Sequence, residues 1–120
     1  MANPNIVGVT TIKGRTIGAS LTTSNVSIVN NNVTGEVLKI NTIFVSNVDG
    51  TNAADVTATV YIGGNYWNIS NTISVPADTT LVLVSKDTTF YLEENQQLYM
   101  QASANSDLEV VVSYESISAS

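Results

Sequence analysis

Apolar and polar residues alternate along most of this chain with a period of two. The pattern is clearest where Val56, Ala58, Val60 and Ile62 take one side and Thr57, Thr59 and Tyr61 take the other. Successive side chains of a strand point to opposite faces, so this alternation predicts a strand with one face in a core and one in water. No window places apolar residues at a convincing helical spacing. Residues 39–63 read as two such strands around the polar loop VDGTNAAD. They predict a long hairpin turning at Asp49-Gly50, where glycine tolerates the positive φ that other residues avoid.

The remaining strands follow from the same reading. Residues 1–12, apolar from Ile6 to Ile12 behind Pro4, form an N-terminal arm or first edge strand, closed by Lys13-Gly14. The strand at 16–23 turns Ile17, Ala19 and Leu21 inward, and Val26, Ile28 and Val29 make a short third. Leu38 and Ile40 share one parity, whereas Ile43 and Val45 share the other. A bulge near Asn41-Thr42 restores a single apolar face by inserting one residue, and it turns Phe44 outward. After Gly63-Gly64-Asn65, the residues Trp67, Ile69, Ile73 and Val75 share a face, with Trp67 expected as the core anchor opposite the small Ala102 and Ala104. Residues 81–84 are apolar on both faces, as in a central strand or one covered by a neighbour. Residues 93–96 make a tight polar corner. Leu98 and Met100, then Leu108, Val110, Val112 and Tyr114, alternate inward. The whole predicts an all-β antiparallel sandwich, Ig-like or jelly-roll-like, of nine or ten short strands, with residues 13–120 as one domain.

Composition supports this class. Val, Ile and Thr supply 41 of 120 residues, which favours strands, and Ser, Thr and Asn supply 42, which favours turns over helix interiors. The net charge of −6 lies entirely in the second half, where Lys86 stands against seven carboxylates. Such a surface repels phosphate backbones, so a nucleic-acid partner is not expected. No stretch is long and apolar enough to form a membrane-spanning helix, and no signal peptide precedes the arm. Synthesis in a cytoplasm is the expectation.

The chain has neither histidine nor cysteine. The usual neutral-pH base, the usual thiolate nucleophile and the common zinc ligands are therefore missing, and no serine–lysine or glycine-loop motif replaces them. Glu93 and Glu94 are adjacent and point to opposite faces, which does not make an acid–base pair. The loop from Asp49 to Asp55 reads as a side-chain-stabilised turn and not as a calcium site, since its spacing misses the EF-hand pattern. No enzyme activity and no cofactor are expected. Surface apolar residues point instead to protein contacts, with Ile6, Val7, Val9 and Ile12 on the arm and Phe44 and Val82 on the body as the candidates. Tyr61, Tyr66, Tyr91 and Tyr99 offer a second possibility, a sugar-stacking surface.

Three stretches carry a resemblance: residues 45–56 (VSNVDGTNAADV), residues 73–81 (ISVPADTTL), and residues 102–115 from Ala102-Ser103-Ala104-Asn105 to Tyr114-Glu115. Together they resemble small β-rich virion proteins of tailed phages that infect marine cyanobacteria. Asn95-Gln96 departs from the Gly-Asp corner expected in that group. The resemblance implies a non-enzymatic virion component that contacts other capsid or tail proteins and forms a homo-oligomer. It implies a capsid decoration or cement role, with a neck, tail or fibre position, there including a host-surface glycan-binding module, as the alternative.

Overall fold

The computed structural model describes residues 11–118, which form nine strands and no helix. They are β1 (Thr11–Ser20), β2 (Val26–Asn30), β3 (Glu36–Asn47), β4 (Ala54–Ile62), β5 (Asn65–Val75), β6 (Thr80–Val84), β7 (Phe90–Leu92), β8 (Gln97–Ala102) and β9 (Leu108–Ser118). Sheet A has the order β1-β9-β3-β6, with β7 sharing the β6 edge of β3, and sheet B has the order β2-β8-β4-β5. All pairs are antiparallel. Among the described strands only β4 and β5 are neighbours both in sequence and in a sheet. Every other connection crosses between the sheets, except that from β6 to β7, which lie in line on the same edge of β3. With β6 and β7 filling one place, this is the eight-position double Greek key of a jelly roll.

The core lies between the inner faces. Leu38, Ile40, Ile43 and Val45 from β3 meet Val56 and Ala58 from β4, Leu98 and Met100 from β8, and Val110 and Val112 from β9, all buried. Each large apolar side chain contributes about 1.5–3 kcal/mol by leaving water. The bulge anticipated at Asn41 is present: the β3–β9 register shifts between Ile40 and Thr42, so Leu38, Ile40, Ile43 and Val45 all point inward.

Two buried asparagines fasten the ends of β3. At its start, the side chain of Asn31 donates through Nδ2 to the carbonyls of Glu36 and Leu92, both at 2.9 Å, and accepts from the Val33 amide at 3.4 Å. At its end, Asn47 donates to the carbonyls of Asn52 (2.9 Å) and Val75 (2.8 Å), and accepts from the Asp49 amide at 2.9 Å. The two do the same work at the two crossovers, from β2 into β3 and from β3 into β4. Chain turning between sheets leaves carbonyls without ladder partners, and a buried amide satisfies two of them at once.

Four expectations are corrected. Residues 39–63 are not a hairpin: β3 belongs to sheet A and β4 to sheet B, and the loop between them is a crossover. The tight hairpin is β4–β5, where Gly63 (φ 59°) and Gly64 (φ 90°) lie between the paired Ile62 and Asn65, as a two-residue turn with both φ positive requires. Trp67 is not the core anchor, for 59% of it is exposed. It lies on the edge strand β5 just past that turn, where a neighbour covers one side only. Ala102 instead faces Val56, and Ala104 lies beyond the end of β8. Lys13-Gly14 does not end a strand either; β1 runs through it in unbroken register with Ser116 and Glu115. Residues 81–84 sit at the edge of sheet A among the described strands and are not central, which leaves Val82 half exposed.

Candidate interaction surface

The register of sheet A builds one feature on its outer face. Phe44 on β3 stands opposite Val82 on β6 and opposite Val111 on β9, and Val111 stands opposite Gly18 on β1. Gly18, Val111, Phe44 and Val82 therefore make one row across four strands, about 14 Å long at the usual strand spacing. All three side chains are exposed: Phe44 37%, Val111 41% and Val82 51%. Polar rows border it. Ser20, Glu109, Ser46 and Thr80 lie on one side, and Thr16, Ser113 and Thr42 on the other. Ser46 and Thr80 share a hydroxyl hydrogen bond of 3.0 Å, which ties β3 to the β6 edge beside the row.

The local sequence explains why the row is open. The bulge at Asn41 that sends Ile43 and Val45 inward sends Phe44 outward. A second register shift between β3 and β6, at Ile43/Phe44, seats Val82 directly beside it. Gly18 leaves the Val111 end uncovered. A Cβ at Gly18 would meet only the Val110 carbonyl oxygen, at an ordinary 3.7 Å, and one at Gly14 on the same face would meet nothing. Neither residue has a positive φ. Glycine inside a strand costs about 0.5–1 kcal/mol relative to alanine. Nothing among the described residues requires it at these places, and close approach by another backbone is a recognised reason for it.

Of the predicted contact residues, Ile6, Val7 and Val9 lie outside the described residues. Ile12 is exposed on β1, opposite Ile117 and on the outer side of the sheet. Six residues separate it from Gly18 along the strand, about 20 Å, with two polar rows between. Phe44 and Val82 are brought together, and Ile12 is not part of their row. Val111 was not among the predicted residues. The signal for it was the run Val110-Val111-Val112, which places one valine outward whenever its neighbours point in.

The loop after β3 holds its own polar groups. Asp49 Oδ1 accepts from the amides of Thr51 (2.8 Å) and Asn52 (3.3 Å), and its Oδ2 accepts from Asn52 Nδ2 at 3.3 Å. The Thr51 amide, then the Asn52 amide, hold the Asp49 carboxyl below its ordinary range. Among the described residues no three His, Cys, Asp or Glu side chains converge as a metal site would need, and no helix is long and apolar enough to cross a membrane.

Neither protein-family models nor curated protein sequences match this chain. Solved structures do. The chain is similar to a subunit from Bacillus endospore appendages, described as a family of disulfide-linked pili, with a TM-score of 0.56 and 14% identity over 92% of this chain and 88% of that one. At this identity the likeness is one of fold. A chain of infectious bursal disease virus, Gx strain, aligns over 92% of this chain and 38% of its own length at a TM-score of 0.42 and 12% identity.

Proposed function

We propose that this chain is a non-enzymatic structural protein that works by protein–protein contact, and that its docking surface is the outer face of sheet A. The row Gly18–Val111–Phe44–Val82 is the observation that carries this reading. Three half-exposed apolar side chains contribute about 3 kcal/mol when covered. Losing the freedom of an independent body costs at least about 4 kcal/mol. One such contact alone does not hold, so the surface suits an assembly in which many copies engage together and further contacts add. The endospore appendage subunit shows a comparable fold within a pilus.

The resemblance of residues 45–56, 73–81 and 102–115 to cyanophage virion proteins supports a more specific reading: a decoration or cement protein on the capsid surface. Copy number tests it. Quantitative mass spectrometry of purified particles is expected to find this chain at a stoichiometry comparable with the shell protein. A handful of copies would move it to the neck, tail or fibre, and its absence from the particles would end the virion reading.

A further inference from the structure

The outer face of sheet B differs in character from that of sheet A. Its register places Gln97, Tyr61 and Tyr66 in one row, Tyr99, Thr59 and Asn68 in the next, and Gln101 beside Thr57 in a third. The three tyrosine rings form a cluster, with centroids 4.9 Å apart for Tyr61–Tyr66, 5.1 Å for Tyr66–Tyr99 and 6.1 Å for Tyr61–Tyr99. Tyr66 is the most open of the three at 51%. None of these eight residues is charged, in a chain of net charge −6. Partial desolvation, then the neighbouring Tyr99, raise the Tyr66 phenol above its ordinary value.

Its hydrogen-bonding capacity is also unspent. Asn31, Asn47 and Asn52 use their side-chain amides within the fold. The side-chain amides of Asn68, Gln97 and Gln101 make no hydrogen bond among the described residues, although all three stand beside the rings. In the middle of the face, Thr59 is 93% buried and its hydroxyl has no partner among the described residues. A buried hydroxyl without a partner costs about 1–3 kcal/mol, and such groups in a native structure call for a reason.

We infer that the outer face of sheet B binds a neutral carbohydrate chain through Tyr61, Tyr66 and Tyr99, with Asn68, Gln97 and Gln101 meeting its hydroxyls. Pyranose rings with axial C–H groups on one side, such as β-glucosyl or β-galactosyl units, present an apolar face to an aromatic ring and hydroxyls at the rim. That chemistry matches rings flanked by free amides. An anionic glycan or a nucleic acid has no cation to meet here. Tyr91, the fourth tyrosine of the sequence reading, does not belong to the site; it lies on sheet A opposite Lys39. This inference does not depend on the role of sheet A.

The test is a titration of the full chain with laminarihexaose, with β-1,4-galactohexaose and, as the acidic control, with a sulfated galactan oligosaccharide, followed by NMR of the tyrosine ring protons. One of the two neutral sugars is expected to shift the signals of Tyr61, Tyr66 and Tyr99 in a saturable way. Tyr66→Ala is expected to weaken binding about tenfold, the equivalent of one aromatic contact. Asn68→Ala, at an exposed position that does not threaten the fold, is expected to weaken it less. Trp67→Ala, on the other side of the same strand, is expected to leave it unchanged. The inference is overturned if neither neutral sugar shifts those signals at about 10 mM, if binding survives Tyr66→Ala unchanged, or if the sulfated control binds best.

Discussion

The side-chain amide of Asn47 reaches the backbone carbonyl of Val75 at 2.8 Å, joining the end of β3 in sheet A to the end of β5 in sheet B. Asn31 makes the matching bond to Leu92 at the other end of β3. Removing either amide strands two carbonyls and one amide. Asn47→Ala and Asn31→Ala are each expected to cost about 2–3 kcal/mol, read as a lower urea midpoint at unchanged slope. The sites are a strand length apart and share no partner, so the double variant is expected to lose the sum to within about 0.5 kcal/mol.

The exposure of Trp67 makes the largest apolar side chain nearly dispensable. Trp67→Ala is expected to cost less than about 1 kcal/mol, since the residue is already mostly in water. Ile43→Ala, fully buried in β3, is expected to cost about 2–5 kcal/mol. Equilibrium unfolding of the two variants side by side checks the correction to the core.

These two cases show what the sequence made legible. Alternation in 54–62 and 108–114 and the parity fault at Asn41 follow from local sterics, and they survive in the structure as β4, β9 and the β3 bulge. Partnership between strands is not local. Asp49-Gly50 looks like a hairpin turn, yet Asn47 sends the following chain to the other sheet, and only the three-dimensional position of the Val75 carbonyl reveals why. Trp67 shares the inner side of β5 with Ile69 and Val75, as its parity implies, but the sequence does not say that β5 is an edge. Phe44 and Val82 were legible as outward apolar residues. Their alignment with Val111 and Gly18 depends on two register shifts that no single segment encodes.

Asp49 gives a pH prediction of definite sign. Its carboxyl is held below the ordinary value of 3.8 by the Thr51 amide first and the Asn52 amide second. A carboxyl depressed in the folded state stabilises above its unfolded pKa, and the contribution disappears as pH falls through the folded pKa. Wild-type urea midpoints are therefore expected to fall below about pH 4. Asp49→Asn is expected to show a shallower fall and a lower midpoint at neutral pH. The side chain is exposed, so the difference is small, and it should vanish near pH 2.

Under the docking proposed for sheet A, a substitution at Gly18 is expected to separate folding from assembly. Its φ is not positive and among the described residues a Cβ there meets no obstacle closer than 3.7 Å. Gly18→Thr is expected to leave the isolated chain as stable as the wild type or about 0.5–1 kcal/mol more stable. In the assembly the added side chain occupies space at the end of the apolar row, and incorporation into particles is expected to drop severalfold in a competition between variant and wild type. A variant that is destabilised alone, or that incorporates equally well, would remove the argument from close approach.

The most direct test of the sheet A docking surface is hydroxyl-radical footprinting of the chain, free and in the assembled particle. The account predicts that oxidation of Phe44, Val82 and Val111 falls severalfold on assembly, while Trp67, on sheet B and mostly exposed, reacts as it does in the free chain. Equal reactivity of Phe44, Val82 and Val111 in both states would contradict it.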